Sequence, residues 1–230
     1  RMRAATSDGV TSFEYIHRKC IDLVLTHIED TSDPFDAAHT HYALIECSAG
    51  REDSGLGETV EATLGEAFEA EEIANAVIAT SGRKAASLWR LRETIPEAQK
   101  LAGLGLKHDI SVPLTSVPTF LEKATTMAEN MIPRVRVIPF GHMGDGNIHF
   151  NLSRPEGEDG ADMMAKAHDL ELAVHDLAVQ LDGSFSAEHG IGKLKRDELA
   201  RYKSDVEFDL MQRVKAVLDP NGTMNPGKIL

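Results

Sequence analysis

Cysteine and tryptophan are scarce in this 230-residue sequence, which has two cysteines, Cys20 and Cys47, and one tryptophan. Each cysteine lies inside an apolar pattern of residues. A disulfide framework or a cysteine-based zinc site is therefore not indicated, and we expect buried free thiols in a reducing compartment.

Positive charge and long apolar runs are also scarce. The 24 lysines and arginines against 37 acidic residues give a formal net charge of −13. This charge opposes binding to nucleic acid or to an anionic membrane, so an anionic substrate must be attracted by a local cluster of cations. No apolar stretch reaches the roughly 20 residues of a membrane-spanning helix, and RMRAATSDGV does not form a signal peptide.

Hydrophobic residues make up 42% of the chain, which suffices for the core of one large domain. Apolar residues at helical spacing predict an amphipathic helix from Phe13 to Ile28. The run HYALIECSA predicts a strand. Residues 58–80 predict a helix pair or one interrupted helix. The apolar face of this segment consists of Leu64, Phe68, Ile73 and Val77.

The middle of the chain alternates between helical and strand patterns. The run SLWRLRETIPEA predicts a helix before Pro96, and KHDISVPL predicts a strand. A helix is predicted next, from Val117 or Thr119 to about Met131. The runs RVRVIPFG and NIHFNLS, separated by the glycine-rich HMGDG, predict a β-hairpin.

The C-terminal third is mainly helical, with a long helix predicted over about 159–181 and shorter ones over 193–202 and 206–218. This order of elements suggests an antiparallel sheet covered on one face by helices, a ferredoxin-like α+β arrangement. We expect residues 1–230 to form one domain, with 192–230 as its C-terminal helical segment.

The predicted hairpin contains the strongest candidate for a metal site. A two-residue type I′ turn at Asp145-Gly146 would place His142 directly opposite His149, with their Cβ atoms roughly 4.5–5.5 Å apart. Both imidazoles could then reach one metal ion. Glu188, in the Gly-flanked segment SAEHGIG, is the best third ligand. Two histidines and a carboxylate leave coordination positions open, as a catalytic site does.

Other histidines and acids fit a metal less well. His168 and His175 are also seven residues apart, but on a predicted helix this spacing is about 10 Å of rise, so they should not share an ion. His39 and His41 are more typical of surface or packing histidines. Asp145 is an alternative ligand, although a role in the turn suits it better. The alternative for His142 and His149 is that they are ordinary hairpin histidines that bind no metal.

Three segments resemble signature segments of the C-terminal domain of FAD-linked oxidases. They are GHMGDGNIHFNL, SAEHGIGKLKRDEL and LDPNGTMNPGKIL, and LWRLRETI and LKHDISVPL are also similar to family segments. This family includes D-2-hydroxyglutarate dehydrogenases, FAD-dependent D-lactate dehydrogenases and the glycolate oxidase flavoprotein subunit. The resemblance implies oxidation of a D-2-hydroxyacid to a 2-oxoacid by hydride transfer to FAD.

The resemblance also implies roles for individual residues. The ligands of a divalent metal, usually zinc, would be His142, His149 and Glu188. The catalytic base near the flavin would be His189. The residues that bind the distal carboxylate of a 2-hydroxy diacid would be Arg92 and Lys107, and Asn151 would contact the substrate.

Two features limit these assignments. The hydroxyglutarate enzymes have a threonine four residues after the arginine, where this chain has Pro96, so the resemblance does not identify the 2-hydroxyacid. From the residues alone, Arg92 could instead be a salt-bridged helix arginine near Glu93 and Glu97, and Lys107 a surface lysine.

The flavin itself needs a second domain. The family holds FAD mainly through an N-terminal domain, whose glycine-rich pyrophosphate segment is not found here, so we expect the chain to be the C-terminal part of a longer protein. Asn225 and Lys228 in the terminal segment would approach the isoalloxazine; a turn-rich tail is the alternative. A cytoplasmic protein, or a mitochondrial one in a eukaryote, is expected.

Two other classes of function fit the same residues. One is a free-standing module that binds a metal and a hydroxyacid without redox chemistry, and the other is an interaction protein that has kept only the scaffold. An FAD domain in the residues that precede Arg1 would favour the hypothesis of an enzyme. The sequence allows a homodimer and does not identify the electron acceptor.

Overall fold

The computed structural model describes residues 1–51 and 53–230, in which six strands and ten α-helices are found. The strands are β1 (Val10–His17), β2 (His41–Cys47), β3 (Gly105–Leu106), β4 (Asp109–Ser111), β5 (Arg136–His142) and β6 (Asn147–Ser153). The helices are α1 (Met2–Ala5), α2 (Arg18–His27), α3 (Leu56–Glu69), α4 (Gly82–Glu93), α5 (Ile95–Leu101), α6 (Val117–Met131), α7 (Ala161–Ala165), α8 (Ala167–Gln180), α9 (Arg196–Tyr202) and α10 (Asp205–Leu218).

The strands form one antiparallel sheet in the order β2-β1-β5-β6, and β3 and β4 both pair with the outer side of β6. The sheet and its helices confirm the predicted α+β class. The strands predicted from HYALIECSA, KHDISVPL and the hairpin runs are present as β2, β4, β5 and β6. The helix predicted to begin at Val117 or Thr119 is α6, which begins at Val117.

Helices pack against both faces of the sheet, not one face as expected. Successive strand residues point to opposite faces, so Tyr15, Val137 and Phe150 join a cluster with α6 and α8. Ile16 and Phe140 join a second cluster with α2, α4 and α5. The two clusters enclose the sheet, so its central strands are buried on both sides.

Two-sided burial explains why the helix predicted from Phe13 to Ile28 is wrong in its first half. Residues of β1 pair with β2 on one side and β5 on the other, and Tyr15 and Ile16 are buried in opposite clusters. A strand buried on both faces does not alternate between apolar and polar residues. Its apolar positions therefore joined those of α2 into one apparent helical pattern.

For residues 58–80 the sequence predicts a helix pair or one interrupted helix, but only α3 is helical there, and it ends early. Helix α3 stops at Glu69, and Glu71 adopts a left-handed φ of 57°, while the Glu72 N–H donates to the Ala67 carbonyl. This is a left-handed helix end, which satisfies the last carbonyls and turns the chain away. The buried face of α3 carries Thr63 and Ala67, and the predicted Phe68 is exposed.

The helix predicted before Pro96 is present as α4, and one other helix prediction needs correction. Pro96 lies in the first turn of α5, where the missing N–H of proline costs nothing, so helical structure resumes at Ile95 after α4. The long helix predicted over about 159–181 is divided into α7 and α8, because Lys166 between them is not helical. Its predicted core positions Met163 and Leu170 are nevertheless buried.

The C-terminal segment contains α9 and α10, as predicted for 192–230. Within the described part of the chain, α10 has no buried residue, and an apolar stripe along it is exposed. The α10 stripe consists of Val206, Leu210, Val214 and Val217. No helix in the described ranges is long and apolar enough to cross a membrane.

His108 is a buried histidine beside β4 whose ionisation is coupled to folding. It is 3% exposed, and its Nδ1 donates to the Phe150 carbonyl at 2.7 Å. Burial lowers the pKa of His108 to about 4, although the bond to Phe150 opposes this shift. Above the unfolded-state pKa of about 6.5, both states are neutral and the residue's full contribution to stability is present. Below it, only the unfolded state takes up a proton, so stability falls until the pH passes the folded pKa.

We therefore expect His108→Gln to reduce the acid sensitivity of folding. Between pH 7.5 and 4.5 the wild-type free energy of unfolding should fall by about 2 kcal/mol more than that of the variant, because glutamine does not titrate. Urea unfolding at both pH values measures this difference. The matched control, His168→Gln on the exposed side of α8, should change stability at pH 7.5 by less than about 0.5 kcal/mol. Parallel acid losses in wild type and His108→Gln would contradict the assignment.

Candidate metal and substrate site

The β5–β6 hairpin places two histidines on one face of the sheet, in a register that differs from the predicted one. His142 pairs with Asn147 and His149 with Phe140, so the connecting loop has four residues and the histidines are not directly opposite. Asp145 accepts the Asn147 N–H in this loop at 3.0 Å, which is the turn role expected for it.

Gly146 explains the longer loop. Its φ is +76°, and a Cβ added there would lie 2.0 Å from the Val112 carbonyl oxygen. The Val112 N–H donates to the Gly146 carbonyl, so the hairpin loop rests directly on the chain that follows β4. Only glycine combines this backbone conformation with this close approach.

The two imidazoles still meet, because His142 and His149 are diagonal neighbours on the same face. Their ring centroids are 5.7 Å apart. The His142 Nε2 lies 3.4 Å from one carboxylate oxygen of Glu188, and the His149 Nε2 lies 3.9 Å from the other. One ligand atom from each residue falls within 4.8 Å of the others. The structure thus brings together all three predicted metal ligands.

A buried carboxylate, Asp109, holds the segment that carries Glu188. One of its oxygens accepts the backbone N–H groups of Glu188 and His189, at 2.8 and 2.9 Å. The other accepts the Asn147 side-chain amide at 2.8 Å and lies 3.7 Å from the His149 Nδ1. Burial opposes ionisation of Asp109, but these hydrogen bonds outweigh it, and the pKa of Asp109 is lowered.

A second buried carboxylate, Glu14, lies behind His142. Its Oε1 accepts from the His142 Nδ1 at 2.9 Å, and its Oε2 accepts from the Arg92 Nε at 2.9 Å. Burial opposes ionisation of this group too, yet hydrogen bonds from His142 and Ser12 and the charge of Arg92 lower the pKa of Glu14. Neither Glu14 nor Asp109 was among the site residues predicted from the sequence.

Burial also acts on His149. It lowers the pKa of this imidazole, and the charges of Asp109 and Glu188 only partly offset the effect. A lowered pKa favours the neutral ring at pH 7. The neutral ring is the form that can donate a lone pair to a metal ion.

His189 points elsewhere than its neighbour Glu188. Its side chain is 63% exposed, and its Nδ1 lies 3.8 Å from Asp109. It is not a member of the three-residue ligand group found within the described ranges. An exposed imidazole next to the ligands is free to face a substrate.

The predicted substrate residues are placed unequally. Arg92 is 8% exposed, and its guanidinium carbon lies 4.7 Å from the centre of the Phe140 ring. Its ion pair is with Glu14, not with the nearby acids of its own helix. Asn151 lies two residues after His149 on the same face, and donates to Gln99 at 3.0 Å. Lys107 is exposed, and no ion pair joins it to other residues in the described part of the chain.

The terminal segment lies against the loop that follows His189. The Ile229 N–H donates to the Gly192 carbonyl at 2.7 Å, and Asn225 adopts a left-handed φ of 48°. Asn225 and Lys228 are both exposed. The two residues predicted to contact a flavin are therefore accessible.

The ligand set fits a divalent metal in its chemistry as well as its geometry. Glu14 can only accept from the His142 Nδ1, which leaves the Nε2 lone pair for coordination. Two imidazoles and a carboxylate are typical of catalytic sites with open positions. In a second group within the described ranges, Glu171, His175 and Glu198, the histidine is already hydrogen-bonded to Glu198.

The sequence is similar to known proteins over nearly its whole length. The family described as FAD linked oxidases, C-terminal domain, matches residues 1–229. A D-2-hydroxyglutarate dehydrogenase of Stutzerimonas stutzeri is 36% identical over 220 residues, which are 96% of this chain and 47% of the relative. The mitochondrial D-2-hydroxyglutarate dehydrogenase of Arabidopsis thaliana is 33% identical over 96% of this chain and 38% of its own length.

A third relative, a D-2-hydroxyglutarate–pyruvate transhydrogenase of Saccharomyces cerevisiae, is 30% identical over 100% of this chain and 47% of the relative. The chain thus spans about half the length, or less, of these curated relatives.

Removing the imidazoles should remove the metal. We expect His142→Ala or His149→Ala to weaken zinc binding at least about 10–100-fold, because each deletes one of three ligands. Competition with a chromophoric chelator measures the affinity. We expect the wild type to bind one equivalent, and His168→Ala, which changes an exposed histidine of α8, should bind the same amount. One tightly bound equivalent in the His142→Ala/His149→Ala protein would place the metal elsewhere.

Proposed function

The chain belongs to the family of C-terminal domains of FAD linked oxidases, and we propose that it is the substrate- and metal-binding lobe of an FAD-dependent D-2-hydroxyacid dehydrogenase. The observation that carries this proposal is the group of His142, His149 and Glu188 beside Arg92 on one sheet face. The names of the relatives support D-2-hydroxyglutarate, or a similar D-2-hydroxy diacid, as the substrate class.

Zinc is the metal that we propose for the ligand group, since zinc accepts imidazole nitrogen and carboxylate oxygen in four-coordinate sites with one open position. FAD would be held mainly by a separate domain, with Asn225 and Lys228 of this chain at its edge. When bound, the metal would polarise the substrate hydroxyl and the flavin would accept the hydride.

The chain's own residues would orient the substrate and take up its proton. Arg92 and Lys107 would bind the distal carboxylate, and Asn151 would contact the substrate beside them, so that the Cα hydrogen points out of the lobe. His189 would accept the hydroxyl proton on its Nε2, since its Nδ1 is the atom nearer to Asp109. The alcohol thereby loses a hydride and a proton and becomes a 2-oxoacid.

The exposed α10 stripe supports the proposal of an adjoining flavin domain. Four aliphatic side chains in one stripe are typical of a covered surface, and the relatives have more than half of their length outside the region matched here. A homodimer would be another way to cover it. The mitochondrial names of relatives from Arabidopsis and rat support a mitochondrial location if the source is a eukaryote, and we propose a cytoplasmic one otherwise.

His189→Gln should separate proton transfer from metal binding. In the full-length protein with its FAD domain, we expect flavin reduction by D-2-hydroxyglutarate to slow about 10²–10⁴-fold, the range for loss of a positioned base. Stopped-flow absorbance of the flavin measures this rate. Metal content and flavin content should be unchanged, because the side chain of His189 lies outside the ligand group.

The exposed His168 provides the control, and His168→Gln should reduce flavin at the wild-type rate. A near-normal rate in His189→Gln would show that another group accepts the proton.

A further inference from the structure

Glu14 uses its two oxygens on two different parts of the site. It is 4% exposed and lies on β1 directly opposite His142 on β5. Its Oε1 accepts from the His142 Nδ1 and from the Ser12 hydroxyl, at 2.9 and 2.8 Å. Its Oε2 accepts from the Arg92 Nε at 2.9 Å and lies 2.8 Å from the Arg92 Nη2. One carboxylate therefore contacts both a proposed metal ligand and the proposed substrate arginine.

The contact with His142 determines which ring nitrogen is free. The Glu14 carboxylate is paired with the Arg92 guanidinium and can only accept hydrogen bonds, so the hydrogen of its contact with His142 must be on the His142 Nδ1. The Nε2 then carries the lone pair and lies 3.4 Å from Glu188. Because the β1–β5 pairing holds Glu14 opposite His142, the sheet itself fixes the direction of this ring.

The contact with Arg92 determines whether the positive charge of the guanidinium is tolerated beside a metal ion. Arg92 is 8% exposed, and its guanidinium carbon lies 4.7 Å from the centre of the Phe140 ring, which itself packs against His149. A buried guanidinium without a partner is costly and would repel a divalent ion nearby. The ion pair with Glu14 compensates this charge while the guanidinium stays on the sheet face that carries the ligands.

From this geometry we infer that Glu14 is a positioning residue that links Arg92 to His142, so that the metal ligands and the substrate arginine form one unit. The inference rests on the proposed metal site. It assigns a role to a strand residue that is distant in sequence from both partners, by 78 and 128 positions.

Glu14→Gln is the first test, carried out on the 230-residue chain. Glutamine has the same size as glutamate, but only one of its two terminal atoms is an acceptor oxygen, and the other is an NH₂ donor. The NH₂ group would therefore face a donor of either Arg92 or His142, and that hydrogen bond would be lost. We expect zinc affinity, measured by chelator competition, to fall about 10–100-fold. Glu46→Gln is the matched control: this strand carboxylate accepts from Trp89 and contacts no proposed ligand, so zinc affinity should be unchanged.

A double-mutant cycle separates a positioning role from a general loss of structure. If Glu14 acts through His142, Glu14→Gln should weaken zinc binding much less in His142→Ala than in the wild-type background, where only the loss of the Arg92 ion pair would remain. An additive loss of affinity, or an unchanged affinity in Glu14→Gln, would overturn the inference.

The wild-type chain provides a test that does not depend on folding of a variant. Long-range ¹H–¹⁵N spectra of the metal-free chain should show His142 with its hydrogen on Nδ1, and a hydrogen on Nε2 alone would overturn the inference. Failure of the wild type to bind zinc would overturn the metal site and this inference together. Zinc binding that is sensitive to His142→Ala but not to Glu14→Gln would overturn only the inference.

Discussion

The position of Glu188, the third proposed ligand, depends on one buried group, the carboxylate of Asp109. A buried carboxylate is costly unless it is hydrogen-bonded, and Asp109 accepts from the backbone N–H groups of both Glu188 and His189 and from Asn147. Two consecutive N–H groups on one oxygen fix the backbone there, and adjacent side chains then diverge. Glu188 faces the imidazoles, whereas His189 faces solvent.

The segment that contains Glu188 and His189 reaches Asp109 because the backbone just before it lies close to the backbone of β4. Ser184 forms a bridge with Ser111 of β4, and a Cβ added to Gly183 would lie 2.1 Å from the Ser111 carbonyl oxygen. The loop after α8 can therefore lie against β4 only with glycine at this position. Because β4 also pairs with β6, the ligands from the hairpin and from the loop share one framework.

Sequence patterns predicted that His142, His149 and Glu188 lie together, although they predicted the wrong hairpin register. The loop is longer by two residues than expected, and a shift of two keeps every side chain on the same face. His142 and His149 therefore became diagonal neighbours, still within reach of each other. A shift of one residue would have separated them.

Glu14 and Asp109 could not be predicted in the same way. Glu14 fell within an apparent helix, because a strand buried on both faces followed by α2 imitates helical spacing. Its long-range partners, like those of Asp109, are contributed by elements far along the chain, here β5 and α4, and the contact between such elements is a property of the whole fold. The helix end at Glu71 is also a backbone feature, which apolar spacing in residues 58–80 does not report.

The charges around the site connect the composition of the chain with its proposed metal. The acidic chain was expected to need a local cluster of cations for an anionic substrate, but Arg92 is paired with Glu14 and Lys107 is exposed. With neutral histidines, the carboxylates of Glu14, Asp109 and Glu188 outnumber the single guanidinium of Arg92. These side chains alone would repel a substrate with two carboxylates. A divalent ion at the ligand group would offset this excess of negative charge, so the anionic substrate and the metal should favour each other's binding.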